Sequence, residues 1–277
     1  MTPYQYCQHK AAASGSSFYY SFLFLPEARR RAITALYAFC REVDDVVDET
    51  SDSQVAAVSL AWWRTEVGKL FDGTPTHPVT RALEPALHPY GITAEYLNEI
   101  ISGMEMDLTQ SRYLDYAGLD RYCYRVAGVV GFLAAGIFGY ANPRTLDYAK
   151  ALGTAFQLTN IIRDVGEDAR RNRIYLPMDE MKRYGVPAAD ILNARESDGF
   201  RALMEFQTER ARAHYANAMA LLPAEDRRTQ RPGLIMAAIY SSLLDEIERE
   251  GFRVLTQRTA LTPVRKLWIA WKTWMRA

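Results

Sequence analysis

The chain has 277 residues, of which 49% are hydrophobic and 24% charged, the composition of an ordinary globular protein. Its 33 basic side chains balance 33 acidic ones, so no overall field favours nucleic acid as a partner. Three cysteines without metal-ligand spacing indicate buried thiols in a reducing compartment. The N-terminus lacks a signal-peptide layout, and no apolar run approaches the ~20 residues that span a bilayer. We therefore expect a cytoplasmic protein.

Helical periodicity is nearly continuous along the chain, and few windows alternate apolar and polar residues as strands do. Proline and glycine separate the periodic segments, without a low-complexity linker or an internal repeat. The pattern predicts one all-α domain over residues 1–277. The expected helices span 3–13, 17–24, 27–49, 53–72, 79–89, 93–111, 116–139, 143–170, 199–222, 233–250 and 263–275.

Residues 15–26, GSSFYYSFLFLP, alternate aromatic side chains with small hydroxyls. This pattern is compatible with the edge of a core helix. It is equally compatible with a binding role, in which Ser16 and Ser17 donate hydrogen bonds to an anion. Phe18 and Phe22 would then line an apolar cavity.

An acidic helix face is predicted within 37–48, YAFCREVDDVVD. Four polar side chains follow one another at three- and four-residue steps, which places them on one face of a helix: Tyr37, Arg41, Asp44 and Asp48. The residues between them are mostly apolar and can be buried. Two carboxylates one turn apart repel each other unless a cation lies between them. Asp45, one residue further round the helix, either supports this face or is free.

Two segments in the middle of the chain carry weaker signals. Asp107 stands among apolar residues in ISGMEMDL, where a lone acid is often simply exposed. The segment 122–131, YCYRVAGVVG, contains Gly128 and Gly131. Glycine in a helix costs about 1 kcal/mol relative to alanine, so it usually marks close approach by another helix or a ligand. Tight helix packing explains at least one of these glycines.

A second acidic face is predicted within 156–168, FQLTNIIRDVGED. Its polar residues again lie at steps of three and four: Gln157, Asn160, Asp164 and Asp168. Either face alone could be solvated surface. Both faces, however, have carboxylates four residues apart and an arginine, Arg41 or Arg163. Facing each other, they would form a cavity that is stable only when hard cations with oxygen ligands fill it.

Mg²⁺, or alternatively Mn²⁺, suits such a cavity and leaves coordination positions to water and substrate phosphates. Arginines bind the same phosphates directly. The chain contains neither a GxxxxGK[ST] nor a GxGxxG loop, so a nucleotide held in the usual glycine-rich way is not expected. The apolar and aromatic residues beside both faces instead favour a prenyl diphosphate.

The C-terminal segment 263–277, PVRKLWIAWKTWMRA, is predicted to be a basic amphipathic helix. Leu267, Trp271 and Trp274 would share one face, and residues 251–277 contain no acid. The helix could lie in a membrane interface on the inner face of the membrane, where a lipid substrate arrives. The alternative is that the tryptophans pack over the core and close the domain.

Taken together, these motifs resemble the squalene/phytoene synthase family, which joins two prenyl diphosphates head to head. The resemblance covers nearly the whole chain and rests on two ordered acidic motifs, DDVVD (44–48) and DVGED (164–168). Three further stretches carry it: SSFYYSF (16–22), YCYRVAGVVG (122–131) and QLTNIIRDVGEDARRNRIYLP (157–177). Finer details resemble bacterial presqualene diphosphate synthases of hopanoid pathways. DDVVD also matches terpene cyclases, but Asp164 and Asp168 depart from the cyclase pattern.

The resemblance implies an isoprenoid-synthase-type helical bundle around a central cavity, and a role for each matching position. Metal ligands would be Asp44, Asp48, Asn160, Asp164 and Asp168, assisted by Gln157. Contacts to diphosphate oxygens would come from Ser17, Tyr37, Arg41 and Arg163. Tyr122 would act in the first step. The hydrocarbon pocket would be lined by Phe18, Phe22, Val126, Val130, Gly131 and Tyr240.

The implied reaction is the Mg²⁺-dependent condensation of two farnesyl diphosphates to presqualene diphosphate, with downstream squalene-pathway enzymes as possible partners. Squalene, dehydrosqualene and phytoene synthases of the same family remain alternatives, as does an isoprenoid-binding protein without chemistry. NADPH is not expected, although reductive members also lack a dinucleotide motif. A non-enzymatic helical scaffold, whose acidic faces only keep it soluble, is the rival from another class.

Overall fold

A computed structural model describes residues 1–13, 21–22, 24–50 and 52–276. All regular secondary structure in these residues is helical, apart from one isolated parallel bridge between Arg112 and Ile174. The all-α prediction is thereby confirmed. Most of the helix predicted at 17–24 lies outside the described residues, and so do Ser16, Ser17 and Phe18.

The helices follow the predicted order closely. We number them α1 Pro3–Ala13, α2 Glu27–Glu49, α3 Ser53–Phe71, α4 Pro78–Leu83, α5 Leu87–Tyr90, α6 Ala94–Thr109, α7 Tyr116–Cys123, α8 Val129–Phe138, α9 Thr145–Arg170, α10 Met178–Arg183, α11 Ala188–Leu192, α12 Asp198–Leu221, α13 Arg231–Arg249 and α14 Pro263–Arg276. Side-chain oxygens cap several of their first turns, as preferred at helix starts: Asp52, Thr93, Asp115 and Ser197.

Three features differ from the prediction. The expected helix 79–89 is divided into α4, a 3₁₀ turn and α5, because Pro85 and Pro89 each remove a backbone donor. The short helices α10 and α11 were not predicted, since each is too short to show helical periodicity. The predicted helix 116–139 contains a π-helical turn at Tyr124–Gly128, between α7 and α8.

Packing centres on α2 and α9, which carry the two acidic motifs. α9 packs against the π turn, α8, α12 and α13, while α2 packs against α1, α4 and α6. The buried apolar residues form two clusters, one around α9 and one around α2, and Val126 of the π turn touches both. The space between these clusters contains the candidate site.

One described helical stretch, Tyr116–Phe138, is long and apolar enough to cross a membrane by length and composition. The sequence had suggested that no segment approached that limit. Leu119, Cys123, Val129 and Leu133 of this stretch are buried in the two core clusters, so packing inside the protein accounts for its hydropathy.

α14 packs against α13. Trp274 stacks on Phe24 with ring centroids 4.9 Å apart, and the Arg231 guanidinium lies 4.7 Å from its ring centroid. Trp268 and Trp271 instead point outward and are 57% and 50% exposed. Trp271 and Trp274 lie three residues apart on this helix, as predicted, but their surroundings differ. One tryptophan thus contacts other parts of the domain, as the packing alternative expected, and two remain in solvent; the membrane interpretation stays a prediction.

Candidate active site

A cavity of about 610 Å³ runs between α2, α6, α8, α9 and α13. Carboxylates and arginines from the C-terminal halves of α2 and α9 line one end. The N-terminal halves of the same helices contribute apolar and aromatic side chains, among them Ile33, Leu36, Leu152 and Phe156. A cavity that is charged at one end and apolar along its length fits an amphiphile with an anionic head.

The structure brings together every described residue that the sequence had assigned to the site. All of the following line this one cavity: Phe22, Tyr37, Arg41, Asp44, Asp48, Tyr122, Val126, Val130, Gly131, Gln157, Asn160, Arg163, Asp164, Asp168 and Tyr240. The remaining two, Ser17 and Phe18, lie outside the described residues. The two acidic faces thus do meet across a common space, although they are 116 residues apart from Asp48 to Asp164.

On α2, Arg41 holds the acidic face together. Its Nη1 donates to Asp44 Oδ2 at 2.6 Å, and its Nη2 donates to Asp45 Oδ1 at 2.6 Å. Asp45 also pairs with Lys10 Nζ at 2.7 Å and does not line the cavity. Asp45 therefore supports the face through Arg41 and is turned away from the space that a ligand would occupy.

Asp48 is linked to the chain that follows α9. Its two carboxylate oxygens accept hydrogen bonds from Arg171 Nη1 at 3.0 Å and Arg173 Nη1 at 2.8 Å. Arg173 Nη2 also donates to the Val47 carbonyl at 3.1 Å. Sequence reasoning did not assign these two arginines, although the run ARRNR directly after the second acidic motif was a visible signal.

On α9, Asp164 accepts hydrogen bonds from Arg163 Nε at 2.7 Å and from Arg258 Nε at 2.9 Å. Arg258 also lies 3.4 Å from Glu167 Oε2 and lines the cavity. The only sequence signal for Arg258 was its place in the acid-free C-terminal region. One turn before Asp164, Asn160 Oδ1 is buried and has no hydrogen-bond partner among the described residues.

The pKa shifts of three carboxyl groups reflect the crowding of acidic side chains at this end of the cavity. Burial and the neighbouring Asp48 raise the pKa of Asp44 to about 7, in spite of Arg41. Burial and the charge of Asp164 raise the pKa of Asp168 to about 8. For Asp164 itself, burial would raise the pKa, but Arg163 and Arg258 outweigh it and lower the pKa below its ordinary value.

This donor set fits a hard divalent cation. Oxygen ligands are what Mg²⁺ prefers, and the unpartnered Oδ1 of Asn160 is available. A bound cation would favour the ionised carboxylates of Asp44 and Asp168, which burial and neighbouring acids disfavour without it. Among the described residues, no three His, Cys, Asp or Glu side chains converge closely enough to hold a metal alone. Carboxylates on opposite walls would share a metal with a ligand that lies between them.

The metal-free protein is expected to lose thermal stability as the pH rises from 6 to 8.5. With folded pKa values near 7 and 8, Asp44 and Asp168 keep protons that the unfolded chain releases above about pH 4. The stabilisation that such a carboxyl group gives the folded protein is complete below the pKa it has in the unfolded chain. It is lost as the pH rises through the pKa it has in the folded protein. The lowered pKa of Asp164 acts at acid pH, outside this window. We expect Tm to fall by roughly 5 °C in EDTA.

Thermal unfolding in matched buffers measures this decline. The variant Asp168→Asn removes one of the two groups and should show a shallower decline, while Asp147→Asn, exposed on the same helix, should follow the wild type. A decline of equal depth in Asp168→Asn would contradict the raised pKa.

A cluster of tyrosines around Asp107 lines the wall between the two acidic faces. Tyr122 Oη donates to Asp107 Oδ2 at 2.9 Å, and Tyr175 Oη donates to Oδ1 at 2.8 Å. The two rings stack with centroids 5.1 Å apart. Burial raises the pKa of Asp107 to about 6, against the hydrogen bonds of the tyrosines. The sequence pointed to Tyr122 alone; Asp107 had no assigned role, and Tyr175 was missed.

Another part of the cavity wall is formed by close contact between helix backbones. A Cβ added to Gly153 of α9 would lie 2.4 Å from the Ala127 carbonyl oxygen in the π turn, and one added to Gly131 would lie 2.4 Å from the Ala149 oxygen. π turns are often found at functional sites. Here Val126 and Ala127 line the cavity. Gly131 therefore serves packing as well as lining the cavity.

An all-helical bundle with two acidic faces at one end of an apolar cavity has the architecture of isoprenoid synthases. A family model described as squalene/phytoene synthase matches residues 11–265. The chain is 36% identical to a phytoene synthase of Arthrospira platensis, covering 95% of this chain and 90% of that one. It is 34% identical to a 15-cis-phytoene synthase of Synechocystis, covering 99% and 85%.

Solved structures give the same result. A dehydrosqualene synthase with a bound ligand superposes with a TM-score of 0.88 at 26% identity, covering 99% of this chain and 96% of that one. The squalene synthase HpnC from Alicyclobacillus acidocaldarius superposes with a TM-score of 0.79 at 27% identity, covering 90% and 94%. The chain belongs to the squalene/phytoene synthase family, and it is an enzyme of the prenyltransferase type.

Proposed function

We propose that this protein condenses two prenyl diphosphates head to head into a phytoene-type hydrocarbon, with Mg²⁺ as its cofactor. The observation that carries the proposal is the meeting of two acidic, arginine-bearing helix faces at one end of a long apolar cavity. Among family activities, phytoene synthesis is favoured because relatives named phytoene synthases share about a third of the sequence over nearly the whole chain. Presqualene diphosphate, the product expected from sequence details, is then replaced by its forty-carbon counterpart, a cyclopropyl diphosphate formed as an intermediate.

The substrate that follows from this product is a twenty-carbon prenyl diphosphate, because phytoene is a forty-carbon hydrocarbon with two equal halves. The length of the cavity supports such a chain. Along α9 the lining residues extend from Asp164 back to Tyr148, which at 1.5 Å per residue corresponds to about 24 Å. Farnesyl diphosphate, with fifteen carbons, is then the shorter alternative.

Mg²⁺ would be held by Asp44, Asp48, Asn160, Asp164 and Asp168, and would supply charge neutralisation for the departing diphosphate. Arg41, Arg163 and Arg173 line the cavity and would bind the diphosphate oxygens as the anion leaves. Once the C1–O bond has broken, the allylic cation lies among aromatic side chains such as Tyr122, Phe156 and Tyr240. Ring faces stabilise a cation without attacking it, and the apolar walls exclude water.

Product analysis tests the proposal. Geranylgeranyl or farnesyl diphosphate is incubated with the protein, with Mg²⁺ or EDTA and with or without NADPH, and the extracted products are identified by mass. We expect phytoene from geranylgeranyl diphosphate with Mg²⁺, and no dependence on NADPH. Squalene-type products from farnesyl diphosphate alone would favour the second candidate, which rests on the likeness to the HpnC and dehydrosqualene synthase structures.

Two outcomes would overturn catalysis itself. Binding of the prenyl diphosphate without release of diphosphate would indicate an isoprenoid carrier. The absence of Mg²⁺-dependent binding in a thermal-shift assay would indicate a scaffold.

We further propose that the outer face of α14 rests on an anionic membrane. The face consists of five exposed side chains, which we call the apolar strip: Val264, Leu267, Trp268, Trp271 and Met275. Every charged residue of this helix is basic, which complements an anionic bilayer surface. Lys266 and Leu261 line the cavity, so the strip begins beside it. A cytoplasmic enzyme placed in this way would exchange lipid-like substrate and product with the inner leaflet.

Co-sedimentation with vesicles tests the apolar strip. The double variant Trp268→Ser/Trp271→Ser is expected to bind vesicles containing phosphatidylglycerol about tenfold more weakly, because it removes the two largest interfacial side chains. Leu114→Ser, a control at another position that is 75% exposed, should bind like the wild type. The proposal fails if removal of residues 263–277 leaves vesicle binding unchanged, or if neutral vesicles bind equally well.

A further inference from the structure

The most unusual polar group in the cavity wall is the carboxylate of Asp107. It lies on α6, outside both acidic motifs, and both of its oxygens accept hydrogen bonds from tyrosine hydroxyls. Asp107, Tyr122 and Tyr175 all line the cavity. The two hydroxyl oxygens are only 3.5 Å apart, so one carboxylate sets the direction of both O–H groups.

The neighbouring Tyr113 shows that ring packing alone does not require this carboxylate. Its ring stacks on that of Tyr175 at 5.8 Å, is fully buried, and lies 5.7 Å from that of Tyr122. Its hydroxyl has no hydrogen-bond partner among the described residues, and the residue does not line the cavity. The tyrosines that face the cavity are the ones that Asp107 engages.

We propose that Asp107 is a positioning residue that orients Tyr122 and receives the proton that Tyr122 relays during closure of the cyclopropane ring. The inference rests on the proposed function. The inference assigns roles to Asp107 and Tyr175, which both lie outside the two acidic motifs. Tyr175 holds the second carboxylate oxygen, which fixes the carboxylate plane and leaves Oδ2 directed at Tyr122.

The C1–O bond of one prenyl diphosphate breaks, and its electron pair leaves with the diphosphate. The C2=C3 double bond of the second molecule forms a bond to C1, which leaves a cation at C3. A C–H bond at C1 then supplies the electron pair that closes the ring between C1 and C3. The released proton binds Tyr122 Oη while the original hydroxyl proton moves to Asp107 Oδ2.

The test compares Asp107→Asn and Tyr175→Phe with the control Tyr113→Phe in single turnovers. Asparagine keeps the shape and one acceptor but is a far weaker base, so ionisation should continue while ring closure fails. In Asp107→Asn we expect at least a hundredfold slower formation of condensed product. Diphosphate release should be nearly unchanged, and prenyl alcohols and elimination products should accumulate. Tyr175→Phe should show the same shift from condensed product to prenyl alcohols and elimination products, but more weakly. Tyr113→Phe should form the same products as the wild type.

A second readout separates this role from a structural one. With substrate deuterated at C1, the isotope effect on product formation should increase in Asp107→Asn relative to the wild type, because proton loss becomes rate-limiting. Equal loss of diphosphate release and product, with an unchanged isotope effect, would overturn the relay. If Asp107→Asn does not fold, the relay is tested by Tyr175→Phe alone, through the shift from condensed product to prenyl alcohols and elimination products. If the wild type releases no diphosphate, the proposed function itself has failed.

Discussion

Replacement of Asp168 by asparagine is expected to lower the turnover of prenyl diphosphate by about a thousandfold while leaving the fold intact. Removing one preorganised electrostatic group from an active site typically costs a factor of 10² to 10³ in rate. Asp168 lines the cavity, and no ion pair holds its carboxylate among the described residues. Its charge is therefore available to a metal rather than used in the packing of the helix.

The same variant should be more stable than the wild type at pH 8 in EDTA. Burial and the charge of Asp164 raise the pKa of Asp168 to about 8, so the ionised carboxylate is disfavoured in the folded protein. A gain in Tm together with a loss of turnover distinguishes a functional charge from a structural one. Diphosphate release and thermal unfolding are measured on one preparation.

A matched variant serves as the control. Asp147→Asn changes an exposed carboxylate near the start of α9 and should keep turnover within a few-fold of the wild type. Near-normal turnover of Asp168→Asn at saturating Mg²⁺ would show that its assignment as a metal ligand is wrong.

The largest effect on stability is expected from Gly153→Ala. The added methyl group would lie 2.4 Å from the Ala127 carbonyl oxygen and 3.1 Å from the Gly128 Cα, and both of these are backbone atoms that cannot rotate away. Overpacking of this kind costs roughly 1–3 kcal/mol. The π turn and α9 would have to separate, which also displaces Val126 and Ala127 in the cavity wall. We expect a lower Tm together with impaired turnover.

Gly68→Ala provides the matched comparison. Gly68 also lies inside a helix, α3, but a Cβ built there meets no atom within 4 Å. Without a clash, alanine should stabilise the helix by up to about 1 kcal/mol, because glycine has the greater freedom to lose on folding. Chemical denaturation of both variants gives the two differences in unfolding free energy. A loss in Gly153→Ala no larger than the change in Gly68→Ala would mean that the two backbones are not in contact.

The sequence predicted most of what depends on local order. Polar spacings of three and four residues placed Asp44 and Asp48 on one helix face, and Asn160 and Asp164 on another, because helical geometry alone determines which neighbours share a face. Two carboxylate pairs with arginines and apolar flanks then indicated a shared diphosphate-binding cavity. That inference needed no knowledge of the path of the chain between them.

The sequence was less informative where the outcome depended on competition between neighbours. The three tryptophans of α14 are spaced three residues apart and lie on one side of the helix, so periodicity could not decide which of them would be buried. Phe24 and Arg231 decided it by providing a contact for Trp274. For the same reason, periodicity could not predict that Trp268 would remain exposed.

By itself, the sequence determined the all-α class, the two acidic faces and the kind of molecule that fits between them. Only the tertiary structure decided which side chains complete the site. Asp107 comes from α6, Arg173 and Tyr175 from the chain after α9, and Arg258 from the loop before α14. The sequence alone assigned none of them to the site. They become functional because folding brings a buried carboxylate beside two hydroxyls, and arginines beside carboxylates, across distances that helical periodicity does not encode.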